Sequence, residues 1–410
     1  MAADTPKVAA VFLDTGRIGR LSTCRRYAAR TVRSAGIATA LGRCAAFVFG
    51  LHLATDALGD PTCAIRGHKK PTHLTLHQGE NSMHMENRLR RISRATVLAG
   101  AVLLVAALPA SATSVGGSSG TGPAMVEFDG TLCVAWSGTD SHHHLNIACA
   151  DPNQGGFQTQ VTDQLSAFAP ALAVYHNALW MAWTGTDSNH TLNVAQVNPF
   201  TGSTTLSLEA YVVGDNDASS QAPALAVAEV EGVEQLVIAW TGTDSHHHLN
   251  VASSVNVNPS NAWSGTFTLN QLATGGPSLA TFNSILYIGW TGTDGNHTLN
   301  LASNAVNGLP SNSLSFGAAQ PVNIPGRGNF TSPSAPSLTN TANLNYGWRG
   351  GDNSINIEYY SDPANPSALR SMGAVPGIST GAPLALATFN GVLWVGWIDL
   401  HNNLQVEQVP

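Results

Sequence analysis

From residue 123 to the end of the chain, short apolar stretches alternate with polar turns in a repeating order. The most regular copies read PALAVYHNALWMAWTGTDSNHTLNVA at 170–195, PALAVAEVEGVEQLVIAWTGTDSHHHLNVA at 223–252 and PSLATFNSILYIGWTGTDGNHTLNLA at 277–302. A first copy begins at Pro123, and two divergent copies begin at Pro336 and Pro383. Apolar runs of this length, rich in Val, Ile, Leu and Trp and bounded by Gly, Asn and Asp, predict strands. The pattern places a first strand after the proline (Ala171 to Tyr175), a second ending at a tryptophan (Leu179 to Trp183) and a third at Leu192 to Gln196. A variable fourth follows, such as Phe157 to Thr162 or Thr266 to Leu272.

The marker tryptophans are Trp136, Trp183, Trp240, Trp290, Trp348 and Trp397, spaced by 47, 57, 50, 58 and 49 residues. Six units of four strands and about 50 residues each match the size of a propeller blade. The expected fold is therefore all-β, a six-bladed β-propeller over 113–410. Both faces of the second strand are apolar, which requires cover on both sides. The residue before each marker is Ala135, Ala182, Ala239, Gly289, Gly347 or Gly396. Large beside small at every repeat predicts blades that interlock around a ring, with the six tryptophans in the core. The chain ends after a third strand, so Thr113 to Gly117 is the candidate for the missing outer strand that would close the ring.

Charge divides the chain in two. Before residue 113 lie 15 of the 18 Lys and Arg and 6 of the 25 Asp and Glu, leaving 3 and 19 after it, a net of +9 against −16. An acidic body without lysine is unsuited to phosphate backbones, which excludes nucleic acid as a partner. At the junction, Arg88, Arg90, Arg91 and Arg94 precede an apolar run from Ala95 to Leu108 and then Pro109-Ala110-Ser111-Ala112. A basic region, a short apolar region and an A-x-A site describe a secretory signal peptide over 85–112. Residues 1–84 would then be an extension from a misplaced start, and the mature protein would be secreted and extracellular, with no stable membrane insertion. An uncleaved anchor and an organelle transit peptide are the alternatives.

Two cysteines follow the junction, Cys133 and Cys149. A hairpin folded about Ser141 sets them directly opposite each other, so a cross-strand disulfide is expected, against the alternative of two buried thiols.

The turns between second and third strands carry the candidate chemistry. They read GTDSHHHLN, GTDSNHTLN, GTDSHHHLN and GTDGNHTLN, aligning Asp140, Asp187, Asp244 and Asp294, with His143, His190, His247 and His297 three residues on. The divergent units keep Asp352 or Asp399 in shorter hairpins without an aligned His. An Asp in such a turn has a structural duty, bonding backbone two residues on. An imidazole adds one donor and one acceptor for a polar ligand. The His142–His144 and His246–His248 runs could attract adventitious Zn or Ni, but no spacing closes a dedicated four-ligand zinc site, and no cofactor is implied. Three N-x-S/T sequons stand at Asn189, Asn296 and Asn329.

A Pro-initiated apolar strand followed by G-T-D and a short hairpin resembles the repeat of bacterial propeller lectins that bind fucose and related sugars. The resemblance implies multivalent glycan binding, with glycans or glycoconjugates as partners. It departs where those lectins place aromatic residues after the turn, because this chain has Leu-Asn, and Asn146, Asn193, Asn250 and Asn300 cannot stack on a sugar face. More distantly, the units resemble sialidase-like propellers, which implies a glycoside hydrolase as the alternative and a protein-binding scaffold as a third reading. Against catalysis, Arg327, Arg349 and Arg370 fall within 44 residues, and equivalent repeated carboxylates give none of them a raised pKa.

Overall fold

The structure is a computed structural model, and it describes residues 112–409 except 215–216, 231, 255–262, 306–313, 325, 364 and 366–368. The expectations for residues 1–84 and for the signal peptide lie outside the described residues, Ala112 aside.

Six antiparallel sheets form the blades of a six-bladed β-propeller. Their inner strands are Ala124–Phe128, Ala171–Tyr175, Ala224–Val230, Ser278–Phe282, Ser337–Asn340 and Ala385–Phe389, in blades I to VI. Each inner strand packs against the inner strands of both neighbouring blades, blade VI against blade I included, so the ring is closed. Closure comes from the segment just ahead of the first repeat. Thr113–Ser118 pairs antiparallel with Asn403–Gln408 as the outer strand of blade VI, with a bulge between Ser114 and Ser118 that leaves Val115 buried. The chain thereby supplies its own last strand and leaves no gap in the ring.

Two details depart from the sequence pattern. The outer strand of blade I is Gln160–Leu165 rather than 157–162. Asp151 first folds the preceding segment into a turn by accepting the Asn153 amide, and Gly155 and Gly156 then take positive φ. Blade I also has a fifth strand, Thr205–Leu206, lent by the third-to-outer connection of blade II and pairing in parallel. Asp163 holds it by accepting the Ser207 hydroxyl and the Leu208 amide.

The tryptophans make the joints between blades. All six are at most 4% exposed. Trp183 shares a cluster with Ala135 of blade I, Trp240 with Ala182 of blade II and Trp290 with Ala239 of blade III, so each tryptophan packs toward the preceding blade. Where the small residue is Gly, the next blade's inner region comes closest. A Cβ on Gly289 would stand 3.1 Å from Tyr346, one on Gly347 2.8 Å from Leu386 and one on Gly396 2.5 Å from Met125. Truncating any of the six tryptophans to Ala would cost about 3–5 kcal/mol.

Cys133 and Cys149 are opposed in the second and third strands of blade I, with Cα atoms 4.1 Å apart, and are disulfide-bonded. The other blades have the same register without a bond, pairing Trp180 with Gln196 and Val237 with Ser253.

Candidate functional site

All six hairpins between second and third strands end in one turn. Its first carbonyl accepts the amide of the residue three positions later, which lies in the left-handed region: His143 on Asp140, His190 on Asp187, His247 on Asp244 and His297 on Asp294. In blades V and VI the same bonds join Asn353 to Gly350 and Asn402 to Asp399. The left-handed φ values run from 53° to 68°, a region where Asn and, less often, His are tolerated among L residues. The aligned His and the two Asn are thus one structural position, which the sequence pattern did not show. Asp399 is the true equivalent of the repeated Asp, whereas Asp352 sits one residue before the left-handed position and Gly350 replaces it.

That position also stitches blades together. The carbonyls of His143, His190, His247, His297, Asn353 and Asn402 accept the amides of Ser166, Ser219, Ala273, Ser332, Thr380 and Ser119, which begin the links to the next blade. Ser119, Ser219, Ser332 and Thr380 then donate their hydroxyls to the carbonyl after the next marker tryptophan, at Ser137, Thr241, Arg349 and Ile398. Hairpins and links therefore share one rim. Ser119 performs for blades VI and I what the internal links perform elsewhere.

The repeated carboxylates are spent on their own turns. Asp187 accepts the amide and hydroxyl of Thr191, and Asp294 those of Thr298. Asp140 and Asp244 accept the amides of His144 and His248 and, at 2.8 Å, their Nδ1 atoms. Each pKa is lowered. For Asp187 the first cause is the Thr191 hydroxyl, and for Asp294 the Thr298 amide. In Asp140 and Asp244 burial pushes upward, but the hydrogen bonds outweigh it and bring Asp244 from 3.8 to about 2. Asn146, Asn193, Asn250 and Asn300 donate to the carbonyl two residues back. The close approach explains the glycine of G-T-D, since a Cβ on Gly138 would lie 2.6 Å from the Asp140 carboxylate.

The imidazoles are less committed, although the Nδ1 atoms of His143 and His247 lie 3.3 and 3.4 Å from the carbonyls of Gly138 and Gly242 in their own hairpins. His143, His190, His247 and His297 are all exposed. The His190 ring lies 6.3 Å from Phe168 on the incoming link, and His247 Nδ1 lies 3.5 Å from Ser220 Oγ. The sequence-predicted Asp and His are thus brought to one rim, each hairpin holding its own pair.

A polar groove of about 470 Å³ opens on this rim between blades II and III, lined by Ser188, Asn189, His190, Thr191, Val212, Asp217, Ala218 and Thr243. The outer strand of blade II is only two residues, Tyr211–Val212, and Val212 lines the groove. Asp217 was not visible as a candidate, lying outside the repeated motif. Burial raises its pKa although the Thr266 hydroxyl donates to the carboxylate, lying 2.9 and 2.8 Å from its two oxygens.

The ring axis has another character. A central channel of about 400 Å³ is lined by the inner strands of all six blades, mostly Pro, Ala, Leu and Val, and no titratable side chain is among its described lining residues. Arg349 is turned to its own hairpin, donating to Asn353 Oδ1 at 2.7 and 3.0 Å, and Arg370 lies on the outer strand of the same blade.

No protein-family model matches the chain, and no curated protein sequence matches it. Among solved structures the chain is similar to AofleA from Arthrobotrys oligospora, at 11% identity and a TM-score of 0.48, over 72% of this chain and 85% of that one. It is also similar to a Trypanosoma rangeli sialidase in complex with the inhibitor DANA, at 11% identity and a TM-score of 0.45. That match covers 71% of this chain but 55% of the sialidase. The Hadza microbial sialidase Hz136 matches at 12% identity and a TM-score of 0.48, over 70% and 65% of the two chains. At these identities and TM-scores the likeness carries nothing about chemistry.

Proposed function

We propose that the protein is an exported, lectin-like propeller that binds glycans through its hairpin rim. The observation that carries this reading is the groove between blades II and III. It offers hydroxyls from Ser188 and Thr243, the Asn189 amide, the His190 imidazole and the Asp217 carboxylate within about 470 Å³. A sugar is a rigid polyol whose recognition consists of directional donors and acceptors around a small apolar patch, a role Val212 fills here. His190 supplies one donor and one acceptor without being consumed by the turn. The other His-bearing hairpins repeat part of this set, and repetition of weak sites raises avidity without new contacts.

A glycoside hydrolase has one observation in its favour, the raised pKa of Asp217, as expected of a general acid. Glycoside hydrolysis usually needs a second carboxylate, and Asp217 is the only acidic residue lining the described groove. The rim aspartates, with lowered pKa values, are poorly suited to donate a proton.

A glycan array probed with the exported protein, followed by calorimetry and sugar-release assays on each hit, tests the proposal. Binding without release is expected. His190→Asn should weaken it by the loss of one hydrogen bond, about 0.5–1.5 kcal/mol, or roughly two- to tenfold. No glycan bound, or binding untouched by both His190→Asn and Asp217→Asn, would remove the reading. Release abolished by Asp217→Asn would replace it with hydrolysis.

A further inference from the structure

Two of the four regular hairpins carry chemistry that the others lack. In blade III, ligand atoms of Asp244, His246 and His248 lie within 4.8 Å of one another. The His246 and His248 rings have centroids 5.6 Å apart, and His248 Nδ1 is 2.8 Å from Asp244 Oδ1. Blade I has the same turn sequence and similar ring placement, although only the blade III trio has its ligand atoms within 4.8 Å of one another among the described residues. Its His142 and His144 centroids are 5.7 Å apart, and His144 Nδ1 is 2.8 Å from Asp140 Oδ1.

The local fold sets this geometry. The two imidazoles flank the left-handed residue, His143 or His247, and the one before it has its Nδ1 3.2 Å from the Ser141 or Ser245 hydroxyl. Amides of His246 and His248 hold the Asp244 carboxylate, at 2.9 and 3.1 Å. The site is therefore preorganised on the tightest part of the rim. Asp244 and His246 are exposed and His248 is half-buried, and a bound ion would need their donor atoms at about 2.0–2.2 Å.

Blades II and IV show that the turn does not require these histidines. There Asn189 and Thr191, or Asn296 and Thr298, build the same backbone, and the Thr hydroxyl bonds the carboxylate instead. The His-x-His pair is thus replaceable by Asn-x-Thr in this turn.

We propose that the hairpins of blades III and I each bind one late first-row divalent cation, Zn²⁺, Ni²⁺ or Cu²⁺, through two imidazoles and a carboxylate. Imidazole and carboxylate donors suit these ions. Three protein ligands on an exposed turn leave coordination positions for water or for a donor from another molecule, as in open rather than structural sites.

The test is calorimetric titration of metal-free full-length protein with Zn²⁺, in four versions. One is the native chain. A second carries His246→Asn with His248→Thr, which gives blade III the hairpin of blade II, and a third adds His142→Asn with His144→Thr. The fourth carries Asn189→His with Thr191→His in an otherwise native chain. Five histidines precede residue 113 in every version, so differences are what count. The expected result is one ion fewer in the second version, two fewer in the third and one more in the fourth, with unchanged melting temperature in the metal-free proteins. Equal stoichiometry in the native and third versions would overturn the proposal, as would a native chain that takes up no Zn²⁺ at millimolar concentration. Loss of a single ion on both swaps together would overturn the blade I site and retain that of blade III.

Discussion

Blades I to IV and blades V to VI solve one geometric problem with different residues. Each hairpin must place an L residue at a left-handed φ so that its carbonyl can reach the next link, and blades V and VI use Asn353 and Asn402. Asn suits that region best among residues with a side chain, because its short amide bonds locally. Blades I to IV use His at the same φ, with the two-residue Gly-Thr extension ahead of the turn. Since Asn does the backbone work elsewhere in the same molecule, the turn itself does not ask for an imidazole. The comparison separates what holds the rim from what the rim displays.

The largest expected effect isolates blade I, the one regular blade with a covalent link across its second and third strands. Replacing Cys133 and Cys149 together by Ala should cost about 3 kcal/mol, the entropy of a loop of about 15 residues, read by urea unfolding. A change below about 1 kcal/mol would mean that the shared turn and ladder already hold this hairpin as they hold the others.

Next come the carboxylates, which serve regular and divergent hairpins alike. Asp187→Ala and Asp399→Ala should each lower stability by about 1 kcal/mol, because the carboxylates accept two and three donors of their own turns. A loss at Asp187 alone would break the equivalence. The same groups predict an acid transition. Their folded pKa values lie below the ordinary 3.8, so their contribution is complete above that value and is lost as pH falls through the folded values, down to about 2 for Asp244. Thermal melts should therefore fall steeply between about pH 4 and about pH 2. A flat profile over that range would contradict the bonding seen on the rim.

The smallest effect is the most informative. His190→Asn and Asn402→His should each change stability by less than about 0.5 kcal/mol, since both residues tolerate the left-handed region. His190→Ala should cost about 1 kcal/mol for backbone reasons alone, which makes Asn the better probe of side-chain function. If His190→Asn destabilises as much as His190→Ala, the imidazole braces the hairpin against Phe168, and its availability to a ligand is lost.

What the sequence determined is the repeat and its consequences. Strand-forming runs before turn residues, and a tryptophan after Ala or Gly in every unit, imply six sheets that must cover each other on both faces. Counting them implies a ring, and folding the first hairpin about Ser141 opposes Cys133 and Cys149. These features are local and periodic, so side-chain alternation carries them without reference to distant residues. The tertiary structure decided the rest. Asn353 and Asn402 share a position with the four His only because φ and the carbonyl's distant partner define it, and hairpins of unequal length hide that from alignment. Asp217 became a candidate because the ring places it beside the groove between blades II and III, which no repeat position announces. Ser119 completes the ring by bonding Asn402, 283 residues away in the chain. Periodicity reports which face a side chain takes, and only closure of the ring brings those faces to a common rim.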